Sequence, residues 1–298
     1  MRHRSEENES AELRSFRIVM PGLVPAIHVF LRGARTWMAG TRLREGFAGR
    51  TSVSPAKRQR RRAGPAMTEQ VALSVDPPST FEVAGVSFAA DLSGALFWEE
   101  RRLLVVSDLH LEKGSSFARR GVLLPPYDTA ATLGRLAAVV ARHDPRMVIA
   151  LGDSFHDRRA HERMSAQDRD AITALQARRD WVWISGNHDP ALPSDLGGMV
   201  ATEVAIGRIR FRHEPTGAIG EIAGHLHPKA RVSTRGRAVE RRCFASDGER
   251  AVMPAFGAYA GGLSIRDAAF AKLFGTPSFT AHLLGDTKLH TIAASRCY

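Results

Sequence analysis

Cysteine is scarce in this 298-residue chain, and the two present, Cys243 and Cys297, show no spacing of a disulfide framework or a zinc finger. With no export signal either, the cytoplasm is the expected compartment. Membrane-length apolar runs are also missing. Ile18–Leu31 is too short to span a bilayer and is broken by Pro21 and Pro25. Four glutamates precede it, which argues against a secretory signal. No internal repeat is visible. Acidic residues are outnumbered 31 to 42, for a formal charge of +11.

That charge is unevenly placed. Residues 1–66 hold 14 Lys+Arg against 5 Asp+Glu, including the run Lys57–Arg62, whereas the remaining 232 hold 28 against 26. The body of the chain is therefore nearly neutral, and overall charge is no argument for nucleic-acid binding. Residues 1–66 show no sustained helix or strand period. They are expected to be a disordered basic extension, either foreign to the native protein or a nucleic-acid-binding arm, with one domain over residues 67–298.

Within the body, short apolar runs alternate with helical patterns. Strands are expected at Thr80–Ala84, Val86–Ala89, Gly94–Trp98, Leu103–Val106, Met147–Leu151, Trp181–Ile184, Gly207–Phe211 and Ala218–Ala223. Tyr127–Ala141 has Leu133, Leu136, Val139 and Val140 at helical spacing, with Asp128 or Thr129 as N-cap. Further helices are expected at Ala166–Ala177 and around Ile265–Phe274, a loop over Lys113–Pro126, and a closing hairpin over Phe279–Ala293. A β-rich start and end around strands separated by helices argues a layered α/β domain with mixed sheets.

Five of these strand-like runs end in residues able to bind a metal: Asp108 and His110; Asp153; Asn187 and His188; His213; His225 and His227. Any one alone could be a turn or a solvated loop. Together, beyond the ends of strands where loops diverge, they point to a shared site. Oxygen and imidazole donors without thiolate favour Mn²⁺, Fe or Zn²⁺ over copper. His143, His156 and His161 are rival histidines, more consistent with solvated or supporting positions.

The series Asp108-x-His110, Gly152-Asp153, Gly186-Asn187-His188-Asp189, His213 and Gly224-His225-x-His227 resembles the calcineurin-like metallophosphoesterase superfamily. The stretches SDLHLEKGSSF, LGDSFHD and PAFGAYAGGL narrow the likeness to the bacterial ligase-associated DNA-damage-response endonucleases. The resemblance implies an αββα sandwich with two mixed sheets and a dinuclear site at the strand ends. One ion would be held by Asp108, His110, Asp153 and His227, and the second by Asp153, Asn187, His213 and His225, with Asp153 bridging. Mn²⁺ is the expected metal, with Fe, Zn or Co as alternatives. It further implies that His188 acts on the reacting phosphoester, with Asp189 orienting it. The activity implied is phosphodiester hydrolysis, with DNA as substrate and a DNA ligase and repair nucleases as partners. Hydrolysis of a small nucleotide or other small phosphoester is the alternative. Protein phosphatases of the superfamily carry an acid three residues after the bridging Asp. Here that position is His156, and Asp157 is expected to be structural.

Overall fold

The computed structural model describes residues 79–234, 236–275 and 278–298. The basic extension and the expected domain start at Met67 lie outside the described residues. Seven strands form the first sheet in sequence order: β1 (Ser79–Val83), β2 (Val86–Ala90), β3 (Leu96–Trp98), β4 (Leu103–Val106), β5 (Met147–Leu151), β6 (Asp180–Ile184) and β7 (Met199–Ala201). Its first half is antiparallel, and β4 through β7 run parallel. The second sheet draws on β8 (Glu203–Ile206), β9 (Ile209–Arg212), β10 (Glu221–Ala223), β12 (Arg237–Ser246), β13 (Ala251–Val252), β14 (Thr280–Leu284) and β15 (Leu289–Ala293). Its order is β15-β14-β12-β13-β10-β9-β8, and β11 (Lys229–Thr234) pairs with β12 at the side. The second sheet is mixed as well, because β9, β10 and β13 are mutually parallel within an otherwise antiparallel array.

The uninterrupted apolar run of β4 is explained by its two covered faces. Leu103 and Val105 enter the core between the sheets, where they meet Phe211, Ile222 and Phe244 from the other side. Leu104 and Val106 point the opposite way, onto Leu133, Leu136, Val139 and Val140 of α2 (Asp128–His143) and Ile172 and Leu175 of α4 (Ala166–Gln176). The outer face of the second sheet is covered in turn by Phe270 and Phe274 of α5 (Ala268–Phe274). The layers therefore run helix, sheet, sheet, helix. Among the described residues no helix is long and apolar enough to cross a membrane.

Several boundaries differ from the expectation. Lys113–Ala118, expected as loop, is helix α1. Its Gly and Ser residues carry little helix propensity, so the turn depends on tertiary contacts: the main-chain N–H of Gly114 donates to the carboxylate of Asp128 at 3.0 Å. That contact also removes the expected cap of α2. Asp128 and Thr129 lie inside the helix, and the Thr129 hydroxyl accepts the N–H of Glu112 at 2.8 Å. A short helix, α3 (Ala160–Arg163), was not signalled by any apolar period. In the second sheet β9 begins two residues later than expected, and β10 is only three residues long. Pairing with neighbouring strands, not local pattern, decides how much of each run is strand.

Candidate metal centre

All the candidate ligands lie just past the C-terminal ends of parallel strands, β4, β5 and β6 in one sheet and β9 and β10 in the other. The strand ends are tied across the two sheets and within each of them. The N–H of His225 donates to Asp108 Oδ2 at 3.1 Å, Gly224 donates to the carbonyl of His213 at 3.0 Å, and Asp108 donates to the carbonyl of Gly152 at 3.3 Å. Such closeness requires glycine for space. A Cβ on Gly186 would overlap the main chain and carboxylate of Asp153, and one on Gly224 would overlap Ser107 and Asp108.

The backbone of the site is strained. Asp108, His110, Asp153, His225 and His227 all have left-handed φ, between +44° and +67°. A non-glycine residue there costs about 1 kcal/mol or more. Five of the seven candidate donors adopt this conformation, the pattern expected when function, not stability, dictates it.

Two donor groups result. In the first, Asp108, His110 and His227 converge, with His227 Nε2 3.1 Å from Asp108 Oδ1 and 3.3 Å from His110 Nε2. In the second, Asp153, His213 and His225 converge. Asn187 joins them, its Oδ1 2.9 Å from His213 Nε2 and 3.0 Å from His225 Nδ1, and the two imidazole nitrogens are 3.2 Å apart. Adjacent ligand atoms on an octahedral cation with bonds of ~2.1 Å would be about 3 Å apart. Donor identity and spacing therefore fit divalent cations. His213 is aimed by its other nitrogen, which donates to the carbonyl of Leu151 at 2.8 Å, leaving Nε2 to face Asn187.

The electrostatics agree with that fit. Burial opposes ionisation of Asp153, yet hydrogen bonds from His213 and from the His188 N–H bring it down to about 2. Asp108 is likewise held below the ordinary carboxylate range: burial opposes this, but the His227 and His213 rings and the Ser107 hydroxyl outweigh it. Burial would lower His213, but the Asp153 hydrogen bond and the Asp108 charge carry it up to about 9. The carboxylate field that draws a proton to His213 would equally draw a cation, and cation binding would displace that proton. Burial pushes His110 down to about 3, which keeps that imidazole neutral and able to donate its lone pair.

His188 stands at the rim, its side chain 40% exposed, with its Nδ1 donating to the carbonyl of His156 at 2.8 Å. The expected orienting contact from Asp189 is not made. Both oxygens of that buried carboxylate are taken by main-chain N–H groups of Asp153, Phe155 and Gly186. Burial, reinforced by the Asp153 charge, raises Asp189 to about 6 even so. Orientation of His188 comes from the His156 backbone, and the His156 ring packs 5.3 Å from the His188 ring and 5.7 Å from that of His110. His156 thus lies beside the site. Its position three residues after Asp153 was the available signal. His143 instead pairs with Asp91, and Asp157 is held by Arg163 at 2.7 Å.

Residues 101–241 match the family profile of the calcineurin-like phosphoesterases. The chain carries a calcineurin-like phosphoesterase domain. It is a metal-dependent phosphoesterase, and its matched span contains every candidate ligand. Among solved structures, this phosphoesterase is similar to the nuclease MPE of Pseudomonas putida, at 28% identity over 72% of this chain and 100% of that one, with a TM-score of 0.56. The phosphoesterase Yfce of E. coli aligns at 13% identity over 64% of this chain and 98% of its own, with a TM-score of 0.32. No curated protein sequence matches the chain.

Proposed function

We propose that this phosphoesterase is an endonuclease that hydrolyses phosphodiester bonds of DNA during damage repair, with two Mn²⁺ ions as cofactors. Asp108, His110, Asp153 and His227 would hold one ion, and Asp153, Asn187, His213 and His225 the other, with the Asp153 carboxylate shared. The observation that carries the reading is the double donor set at an open rim, where Asn187 is exposed and His188 and His225 are half-buried. A rim of that kind admits a chain passing across it. The likeness to a nuclease over that protein's entire length adds support. A cytoplasmic location, with a DNA ligase and repair nucleases as partners, belongs to the same reading.

Bound there, the cations would activate water and offset charge developing on the phosphoryl oxygens. The chain's own residues do the rest. With its Nδ1–H committed to the His156 carbonyl, His188 in its imidazolium form can donate a proton or hydrogen bond through Nε2 to a phosphoester oxygen. Asp189 keeps the turns after β5 and β6 in register, so that Asp153 and Asn187 face the same space. Burial is the main cause of the lowered His110 and His156, and the charge of Lys113 adds to it, placing positive charge where a phosphate would approach.

The test is Mn²⁺-dependent turnover by the full chain on single-stranded DNA, duplex DNA and bis(p-nitrophenyl) phosphate. Cleavage within a DNA strand is the expected result. Turnover of the small diester with both DNAs left intact would transfer the assignment to small phosphoesters.

A further inference from the structure

Away from the donor groups, a cavity of about 470 Å³ opens between α2, the β11–β12 hairpin, the β14–β15 turn and the segment Gly257–Ala260. It shares no lining residue with the metal centre. Its walls carry Arg135, Lys229, Arg241 and Arg242 against Glu240 and Asp286. Two of the cations are accounted for: Lys229 pairs with Glu240, and Arg241 with Asp286, each at 3.5 Å.

Arg135 and Arg242 are not. Among the described residues neither has a carboxylate within ion-pair distance. Each is tied only to a main-chain carbonyl, Arg135 to that of Phe256 and Arg242 to that of Ala255 at 2.6 Å. Consecutive carbonyls thus anchor two guanidiniums that line the same cavity, with Arg135 also 4.7 Å over the Phe256 ring. Arg135 Nε is buried without a partner. Lys229 stands directly opposite Arg242 in the β11–β12 register, a like-charge pairing that disfavours the hairpin. Burial, together with the neighbouring Arg242 charge, lowers Arg135 to about 10. A counter-anion would relieve this arrangement. Paired guanidinium forks match the several oxygens of a tetrahedral dianion better than a planar carboxylate, which one fork satisfies.

We propose that this cavity binds a phosphate group through Arg135 and Arg242, at a site separate from the metal centre. The cavity is larger than one phosphate, so the group can be orthophosphate or part of a nucleic-acid backbone. The inference does not depend on which phosphoester the metal centre cleaves.

Calorimetric titration of the manganese-loaded full chain with inorganic phosphate provides the test. Native protein should show a binding event beyond the metal centre. In Arg242→Gln and Arg135→Gln that event should weaken at least tenfold while manganese content is retained. Equal phosphate binding in native and folded variant proteins overturns the proposal. Fluorescence anisotropy with a single-stranded oligonucleotide then identifies the source. A tenfold loss in the same variants assigns a backbone phosphate, and unchanged oligonucleotide affinity beside a lost phosphate event assigns orthophosphate. Should both variants lose their manganese, native crystals soaked in tungstate still decide. Anomalous signal between the two guanidiniums supports the site, and an empty cavity beside an occupied metal centre overturns it.

Discussion

Asp189 Oδ1 accepts the main-chain N–H of Asp153 at 3.1 Å and that of Gly186 at 2.9 Å, while Oδ2 accepts that of Phe155 at 3.0 Å. One buried carboxylate therefore staples the turn after β5 to the turn after β6. Asp189→Asn replaces one acceptor oxygen with a donor facing an N–H. The expected cost is about 2 kcal/mol, because a buried N–H loses its partner. Thermal melting with and without Mn²⁺ should show a lower midpoint and weaker metal retention. Unchanged melting with only an altered pH–rate profile would instead return Asp189 to a role on His188.

His188 contacts the site without being a member of either donor group. His188→Ala should keep the metal content of the native chain and lower turnover by roughly a hundredfold, the scale of general acid–base assistance. Elemental analysis beside steady-state kinetics separates the two effects. Native turnover in this variant would remove the assignment.

Gly186 faces the backbone and carboxylate of Asp153 with no room for a methyl group. Gly186→Ala should destabilise the fold by about 2 kcal/mol through overpacking. Metal loss should accompany it, since the group displaced is Asp153 itself. Denaturant titration and metal content of the purified variant are the measurements, and full metal loading would show that the turn can yield.

A pH effect is expected far from the metals. His282 of β14 is buried, stacks 4.6 Å from the Phe81 ring and approaches the Thr291 hydroxyl at 3.1 Å. Burial depresses its pKa from the usual 6.5 to about 4. Between those values the unfolded chain takes up a proton that the folded chain refuses. Stability is therefore fully present above pH 6.5 and falls as pH drops toward 4, by up to about 3 kcal/mol from this group. The difference between the native and His282→Gln stability curves should be flat above pH 7 and change steadily below 6.5. A flat difference throughout would mean that His282 titrates normally.

Much of this molecule is written in local pattern. The LLVV of β4 and MVIAL of β5 had to be covered on both faces, and they fall at the expected residues, because a run apolar on both faces is stable only inside a layered fold. Residue order also fixed that Asp108, Asp153, Asn187, His213 and His225 follow strand ends, where parallel strands deliver side chains to one edge. Sequence could not show that Lys113–Ala118 is helical, that Asp128 and Thr129 serve neighbouring segments instead of capping α2, or that Asp189 holds backbone instead of a histidine ring. Each depends on a hydrogen-bond partner from a different part of the chain: Asp128 for Gly114, Glu112 for Thr129, and Asp153 and Phe155 for Asp189. Donor types and their order are local chemistry and can be read along a chain. Which lone pair each N–H finds is a matter of distance in three dimensions, and only packing the two sheets against each other decides it.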